Sequence, residues 1–207
     1  MGSLIVEQIM MYIVQKSIYF STNTCTVLVS SSDQSEIVNK HNDLRRSVQP
    51  TASNMLQMLA AVERTCTCPA TRAHGAIAIQ SWYDEVKDWR YGMGSVNGGV
   101  VGHYTQLVWY RSNQVGCAMA SCPNAAYKYF YVCHYCPPGN YQYARPYKSG
   151  PPCGDCPNAC DNKLCTNPCP YADQYNNCPD LKQQWGCSNK DVASWCPASC
   201  KCTTQII

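Results

Sequence analysis

Cysteine placement constrains this chain more than any other feature. Of 17 cysteines, ten fall between Cys153 and Cys202, while the first 152 residues hold seven. The C-x2-C spacing in "CGDCPNACDNKLC" suits zinc. Yet the four histidines (His41, His74, His103 and His134) all precede the cluster, and ten thiols in fifty residues exceed what one or two zinc sites use. Disulfides in an oxidising compartment account for the number, so the chain reads as secreted and extracellular. The last fifty residues have too few aliphatic side chains for a core of their own. Crosslinks must hold them, each contributing about 2–4 kcal/mol.

The rest of the chain is different in kind. Two hundred and seven residues, 45% of them apolar, suit one medium domain followed by a small crosslinked unit. Residues 1–30 open with "MGSLIVEQIMMYIVQKSIYF", apolar but broken by Glu7, Gln8, Gln15 and Lys16. No basic residue precedes the apolar run and no clean cleavage site follows, so this segment reads as an atypical leader. It is too polar to span a membrane. The formal net charge of +3 is spread without any basic stripe, which excludes a nucleic-acid partner.

Periodicity gives an α+β domain. "DQSEIVNKHNDLRRSV" predicts a helix capped at Asp33, with Glu36 three residues on and Ile37, Val38, His41, Leu44 and Val48 on one face. A second helix is predicted in "AIQSWYDEVKDWRYG", where Ile79, Trp82, Val86 and Trp89 recur at three and four. Glu85 lies beside that apolar stripe. From Thr105 the segments "TQLVWY", "GCAMASC" and "YKYFYVCHYC" read as strands separated by turns. Helices flanking an antiparallel sheet make a layered domain.

Four stretches in order carry a family resemblance. "EIVNKHNDLRRSVQPTASNMLQM", "GHYTQLVWYRS", "YVCHYCPPGNY" and "PYKSGPPCGDCPNACDNKLCTNPC" with six cysteines from Cys169 onward resemble the cysteine-rich secretory proteins of the CAP superfamily. The wording is most similar to reptile venom members, though reproductive-tract members share much of it. The resemblance implies an αβα sandwich CAP domain over residues 31–147, a disulfide hinge over 148–168 and an ion-channel-regulatory domain over 169–207. The last is similar to sea-anemone potassium-channel toxins. It also implies that tens of residues are missing around 59–76, leaving an incomplete CAP domain with the apolar surface around Trp82 and Trp109 uncovered.

By resemblance, the disulfides are Cys117–Cys133, Cys153–Cys160, Cys156–Cys165, Cys169–Cys202, Cys178–Cys196 and Cys187–Cys200. Spacing alone leaves many connectivities open. Cys122 and Cys136 would each bond a cysteine of the missing stretch, where only Cys66 and Cys68 remain. The family's central cleft holds two histidines and two glutamates. His103 of "GHYTQ" and Glu85 of "SWYDE" match one of each, and the other pair is absent, so the resemblance implies a vestigial half-site and no resident cofactor, zinc included. His74 and Glu63 lack the motif residues that would make them replacements.

Two classes of function follow. As a binding protein, the chain would act as a monomer on the extracellular face of a membrane ion channel of the calcium, cyclic-nucleotide-gated, ryanodine or potassium type. Lys182, Trp185, Lys190 and Trp195 of "LKQQWGCSNKDVASWC" are the candidate contacts, since aromatic anchors dominate interfaces. The alternative within the same class is a reproductive-tract protein acting on sperm or carrying sterol. As a hydrolase, it would need Ser112 beside His103 and Glu85, but no nucleophile elbow or oxyanion-hole signature accompanies them, so the chain reads as a non-enzyme.

Overall fold

The computed structural model describes residues 26–27, 31–61, 75–121 and 129–207. Cys25, Glu63, Cys66, Cys68, His74 and Cys122 lie outside them, as does nearly all of the leader assigned to residues 1–30. The chain forms β1 (Thr26–Val27), α1 (Ser31–Arg46), β2 (Leu59–Ala60) and α2 (Gly75–Tyr83), which tightens into a 3₁₀ turn over Asp84–Asp88. A small hairpin of β3 (Trp89–Arg90) and β4 (Gly94–Ser95) leads to α3 (Gly102–Leu107). The long strands β5 (Gln114–Ser121) and β6 (Tyr129–Cys136) follow. A second hairpin, β7 (Cys160–Asp161) and β8 (Leu164–Cys165), precedes the short helices α4 (Cys178–Trp185), α5 (Lys190–Trp195) and α6 (Pro197–Lys201).

β5 is the spine of the larger domain. It pairs antiparallel with β6 from Gln114↔Cys136 to Ser121↔Tyr129, and the Cys117–Cys133 disulfide crosses a directly opposed pair. The other edge of β5 meets β2, parallel, at its start and β1, antiparallel, at its end. α1 begins at Ser31, so Asp33 falls in its first turn, where a negative charge suits the helix dipole. The helix buries Ile37 and Leu44, and Val48, expected on the same helical face but lying two residues beyond its end, joins them in a core shared with Met55, Met58, Ile79, Trp89, Tyr104 and Leu107.

Three polar side chains of α1 are buried with that apolar face. Asn42 acts as a length of strand: its amide donates to the Met58 carbonyl (2.9 Å) and its oxygen accepts from the Met58 N–H (2.8 Å). Arg45 is fully buried and donates to backbone carbonyls of Leu56, Leu107, Trp109, Tyr110 and Ser112 at 2.7–3.2 Å. His41 lies within 2.8 Å of both the Ile37 carbonyl, at Nδ1, and the Tyr135 hydroxyl, at Nε2. A carbonyl only accepts, so Nδ1 carries the proton and Nε2 accepts from Tyr135.

Two segments differ from their sequence reading: in "AIQSWYDEVKDWRYG" the α-helix ends at Tyr83, a 3₁₀ turn follows, and Trp89 already belongs to β3. "TQLVWY" is not a strand, because Thr105–Leu107 belong to α3 and the chain turns at Val108. β-branched and aromatic residues favour strands only where a pleated neighbour is available to pack them. Trp109 is also covered, at 5% exposure. Gly139 lies flat against its ring, where a Cβ would sit 2.4 Å from Cγ. Trp82 is half-buried against the core. Cys136 carries a free thiol.

The hinge docks on the loop after α1 as an added strand would. The Cys165 N–H donates to Met55 O and the Gln57 N–H donates to Cys165 O, both at 2.8 Å. Asn162 and Lys163, both at positive φ, make the tight turn of the β7–β8 hairpin. The smaller C-terminal unit is held by Cys169–Cys202, Cys178–Cys196 and Cys187–Cys200, with Val192 as its one buried aliphatic apart from Ala198 and Ile206. It touches the larger domain where Tyr110 donates to Ile207 O (2.6 Å) and Arg111 donates to Tyr171 O (3.2 Å).

Burial of His41, with Arg45 nearby, pushes its pKa down from 6.5 to about 4. Between those values the unfolded chain takes up a proton that the folded protein refuses. Stability therefore falls as pH drops from 6.5 to 4, by on the order of 3 kcal/mol, and His41 contributes no pH dependence above that window. Thermal melts at pH 7 and pH 4 should show this loss, and the double variant His41→Phe with Tyr135→Phe should lose that share of it. An identical acid shift in the double variant would contradict the assignment.

Candidate functional site

Glu85 sits in the 3₁₀ turn after α2, one turn beyond Trp82, and its carboxylate faces the start of α3. A helix start leaves four N–H groups without partners. Here Glu85 Oε2 accepts from the N–H groups of both His103 and Tyr104 at 3.0 Å. Oε1 accepts from His103 Nδ1 at 2.6 Å. The carboxylate thus caps a helix that has no side-chain cap of its own, and it also fixes the imidazole. Trp82 stacks on the same ring at 5.8 Å and 11°.

His103 is therefore not a core residue. Its side chain is 51% exposed, whereas that of Glu85 is 17% exposed. With Nδ1 protonated and held, Nε2 is presented outward, the orientation a carboxylate gives to a metal-binding imidazole. Among the described residues the buried histidine is His41, which the sequence placed on the α1 face without a role.

The described residues around His103 do not fit a zinc ion. Zinc takes three or four protein ligands, and among the described residues no third His, Cys, Asp or Glu joins His103 and Glu85. Among the described residues, the one cluster of three such groups is Cys153, Cys156 and Cys165, whose sulfurs are consumed in disulfides. Ser112 is not placed to be a nucleophile either. It is fully buried, its hydroxyl donates to Pro137 O (2.7 Å) and it accepts from Gln106 Nε2 (3.0 Å).

The second candidate site is the C-terminal unit. Asp173 repeats the device of Glu85: its carboxylate accepts from the N–H groups of Ala198 and Ser199, and from the Ser199 hydroxyl, at 2.5–3.2 Å, capping α6. Lys182 Nζ donates to Ser199 O at 2.6 Å, so its ammonium ties α4 to α6. Trp185 points away from the unit at 59% exposure, and Lys190 is exposed at the start of α5. Trp195 is partly exposed and meets Tyr175 edge to face at 5.9 Å. The sequence missed Tyr171 and Tyr175. Both are exposed, and Lys201 Nζ lies 4.4 Å above the Tyr171 ring.

Residues 35–135 match the Cysteine-rich secretory protein family and residues 153–207 match the Crisp family. The chain is 46% identical to the cysteine-rich venom protein helothermine of Heloderma horridum horridum, over 87% of this chain and 88% of that protein. It belongs to the cysteine-rich secretory protein family. Because the aligned 218 positions outnumber the chain's 207 residues, helothermine carries residues with no counterpart here. The fold resembles a crystal structure of NaASP2 with Zn2+ (25% identity, TM-score 0.51, 66% of this chain and 96% of that one). It also resembles that of Hookworm Platelet Inhibitor (22% identity, TM-score 0.53, 67% and 92%). Twelve joined cysteines fit a secretory protein, and no helix among the described residues is long and apolar enough to cross a membrane.

Titration calorimetry of this secretory protein with zinc at neutral pH should show no sub-micromolar binding, with or without His103→Ala. Glu85→Ala should lower stability by about 1 kcal/mol through the lost cap and leave that zinc result unchanged. Sub-micromolar binding abolished by His103→Ala would contradict the half-site.

Proposed function

We propose that this chain is a secreted, venom-type protein that modulates a membrane ion channel from its extracellular face through residues 169–207. One observation carries the reading. Tyr171, Tyr175, Trp185 and Trp195, the only aromatic residues of that unit, are all exposed, while cysteines and a few small aliphatics fill its interior. Disulfides do the work that aromatic packing does in an ordinary small domain, and so free the aromatics for contact. Held on short crosslinked helices, they lose little conformational entropy on binding, which favours affinity.

Trp185, Lys190 and Trp195 are the contacts in this reading. Lys182 positions α6 instead, because its ammonium is engaged within the unit. Residues 169–207 carry three lysines against three aspartates, so the reading rests on aromatic anchoring and not on cationic plugging of a pore. A shortened CAP domain around 59–76 belongs to the same reading, supported by the residues of helothermine that have no counterpart here. Its role is to carry and orient the C-terminal unit, without catalysis. The similarity to a venom protein supports the venom setting over the reproductive one.

Patch-clamp recordings of the full chain on a panel of calcium, cyclic-nucleotide-gated, ryanodine and potassium channels test this. Trp185→Ala should lower potency about tenfold or more, the scale of an interface anchor, with an unchanged thermal melt. Silence of the full chain across the panel, or full potency of Trp185→Ala, would refute it.

A further inference from the structure

The two hinge disulfides, Cys153–Cys160 and Cys156–Cys165, lie side by side: the sulfurs of Cys153, Cys156 and Cys165 are all within 4.8 Å of one another. A sulfur released from the first bond is therefore a short movement from the second. The alternative partners are already in place as well. Cys160 and Cys165 are directly opposed across the β7–β8 hairpin, and opposed antiparallel residues have Cα atoms about 4.5–5.5 Å apart, within the roughly 4.4–6.8 Å that a disulfide spans. Cys153 and Cys156 close a turn, with the Cys156 N–H donating to Cys153 O at 3.0 Å. Access is uneven: Cys160 is exposed, and the other three are buried.

We propose that the hinge is a thiol–disulfide exchange site for a low-molecular-weight thiol, which enters at Cys160 and converts the native pair to Cys153–Cys156 and Cys160–Cys165. The thiolate attacks the Cys160 sulfur, a mixed disulfide forms, and the Cys153–Cys160 bond breaks with Cys153 leaving as a thiolate. Cys153 attacks the Cys156 sulfur, and Cys165 leaves as a thiolate. Cys165 then attacks the Cys160 sulfur of the mixed disulfide and releases the thiol. Two disulfides are present at the start and two at the end, so nothing is oxidised or reduced overall and the thiol is a catalyst.

The exchange changes what the hinge can transmit. Both native bonds join the 153–156 turn to the β7–β8 hairpin. In the isomer one bond lies within the turn and the other within the hairpin, and no disulfide connects the two, which are then joined only by the main chain of residues 157–159. Cys165 pairs through its backbone with Met55 and Gln57, and the Asp155 N–H donates to Ser53 O at 3.0 Å. The two docking points of the hinge on the larger domain thus lose their crosslink to each other.

The test uses the full chain with its free thiols first blocked by alkylation, then exposed to a small amount of reduced glutathione at mildly alkaline pH and acid-quenched. Tandem mass spectrometry of the unreduced peptides should find Cys153–Cys156 and Cys160–Cys165, with the total of free thiol unchanged. Unaltered native pairing, or loss of both bonds to free thiols, overturns the proposal. Cys160→Ser gives a second readout without added thiol. In that variant, alkylation should label Cys165, because Cys153 has taken Cys156; a label on Cys153 with Cys156–Cys165 intact overturns it.

Discussion

A single buried guanidinium holds the larger domain in register. Among the described residues Arg45 has no carboxylate partner. Every hydrogen bond it makes is to a main-chain carbonyl, from the loop at Leu56 and from the end of α3 and the turn that follows it. Burial lowers its pKa to about 9, which leaves it charged at neutral pH. Replacing bulk water around such a charge requires that all its donors be met, and five carbonyl-bearing residues meet them. Removing one partner of a buried charge typically costs about 3–5 kcal/mol, a large share of a domain's margin of about 5–15 kcal/mol.

The consequences run outward along the main chain. Leu56 O accepts twice from Arg45, and the Leu56 N–H donates to Tyr110 O at 3.0 Å. Met55 and Gln57, on either side, carry the ladder to Cys165 in the hinge. Tyr110 and Arg111, in the second loop gathered by Arg45, donate to Ile207 O and Tyr171 O of the C-terminal unit. The surface through which the crosslinked unit rests on the larger domain is thus shaped by one α1 side chain. Glu85 and Asp173 solve a smaller version of the same problem, each supplying a carboxylate to a short helix that has no cap in its own sequence neighbourhood.

How much of this the sequence disclosed depends on how local each cause is. The α1 helix was legible because Ile37, His41 and Leu44 repeat on one face. The roles of Asn42 and Arg45 were not, since their partners lie 11 to 67 residues away and polar residues beside an apolar stripe read as a solvated flank. The one available signal was the spacing of His41 and Arg45, a single helical turn apart on the buried side. "TQLVWY" misled because composition favours a strand there, while the cap that makes it helical comes from Glu85, 18 residues earlier. His103 and Glu85 were brought together by family resemblance, and the structure places them 2.6 Å apart. That the contact is a cap as well as a half-site could not be read from either motif. Trp109 was expected to lie bare because a stretch around 59–76 is missing; Gly139, which has no side chain to announce the contact, lies against its ring instead.

Arg45 couples the larger domain to the hinge. Hydrogen–deuterium exchange on Arg45→Lys tests it most directly, since lysine keeps the charge and loses the planar fork of donors. The amides of Leu56 and Gln57 and that of Cys165 should lose protection together, by similar factors. Loss of protection at Leu56 and Gln57 with Cys165 as protected as in the native chain would contradict it.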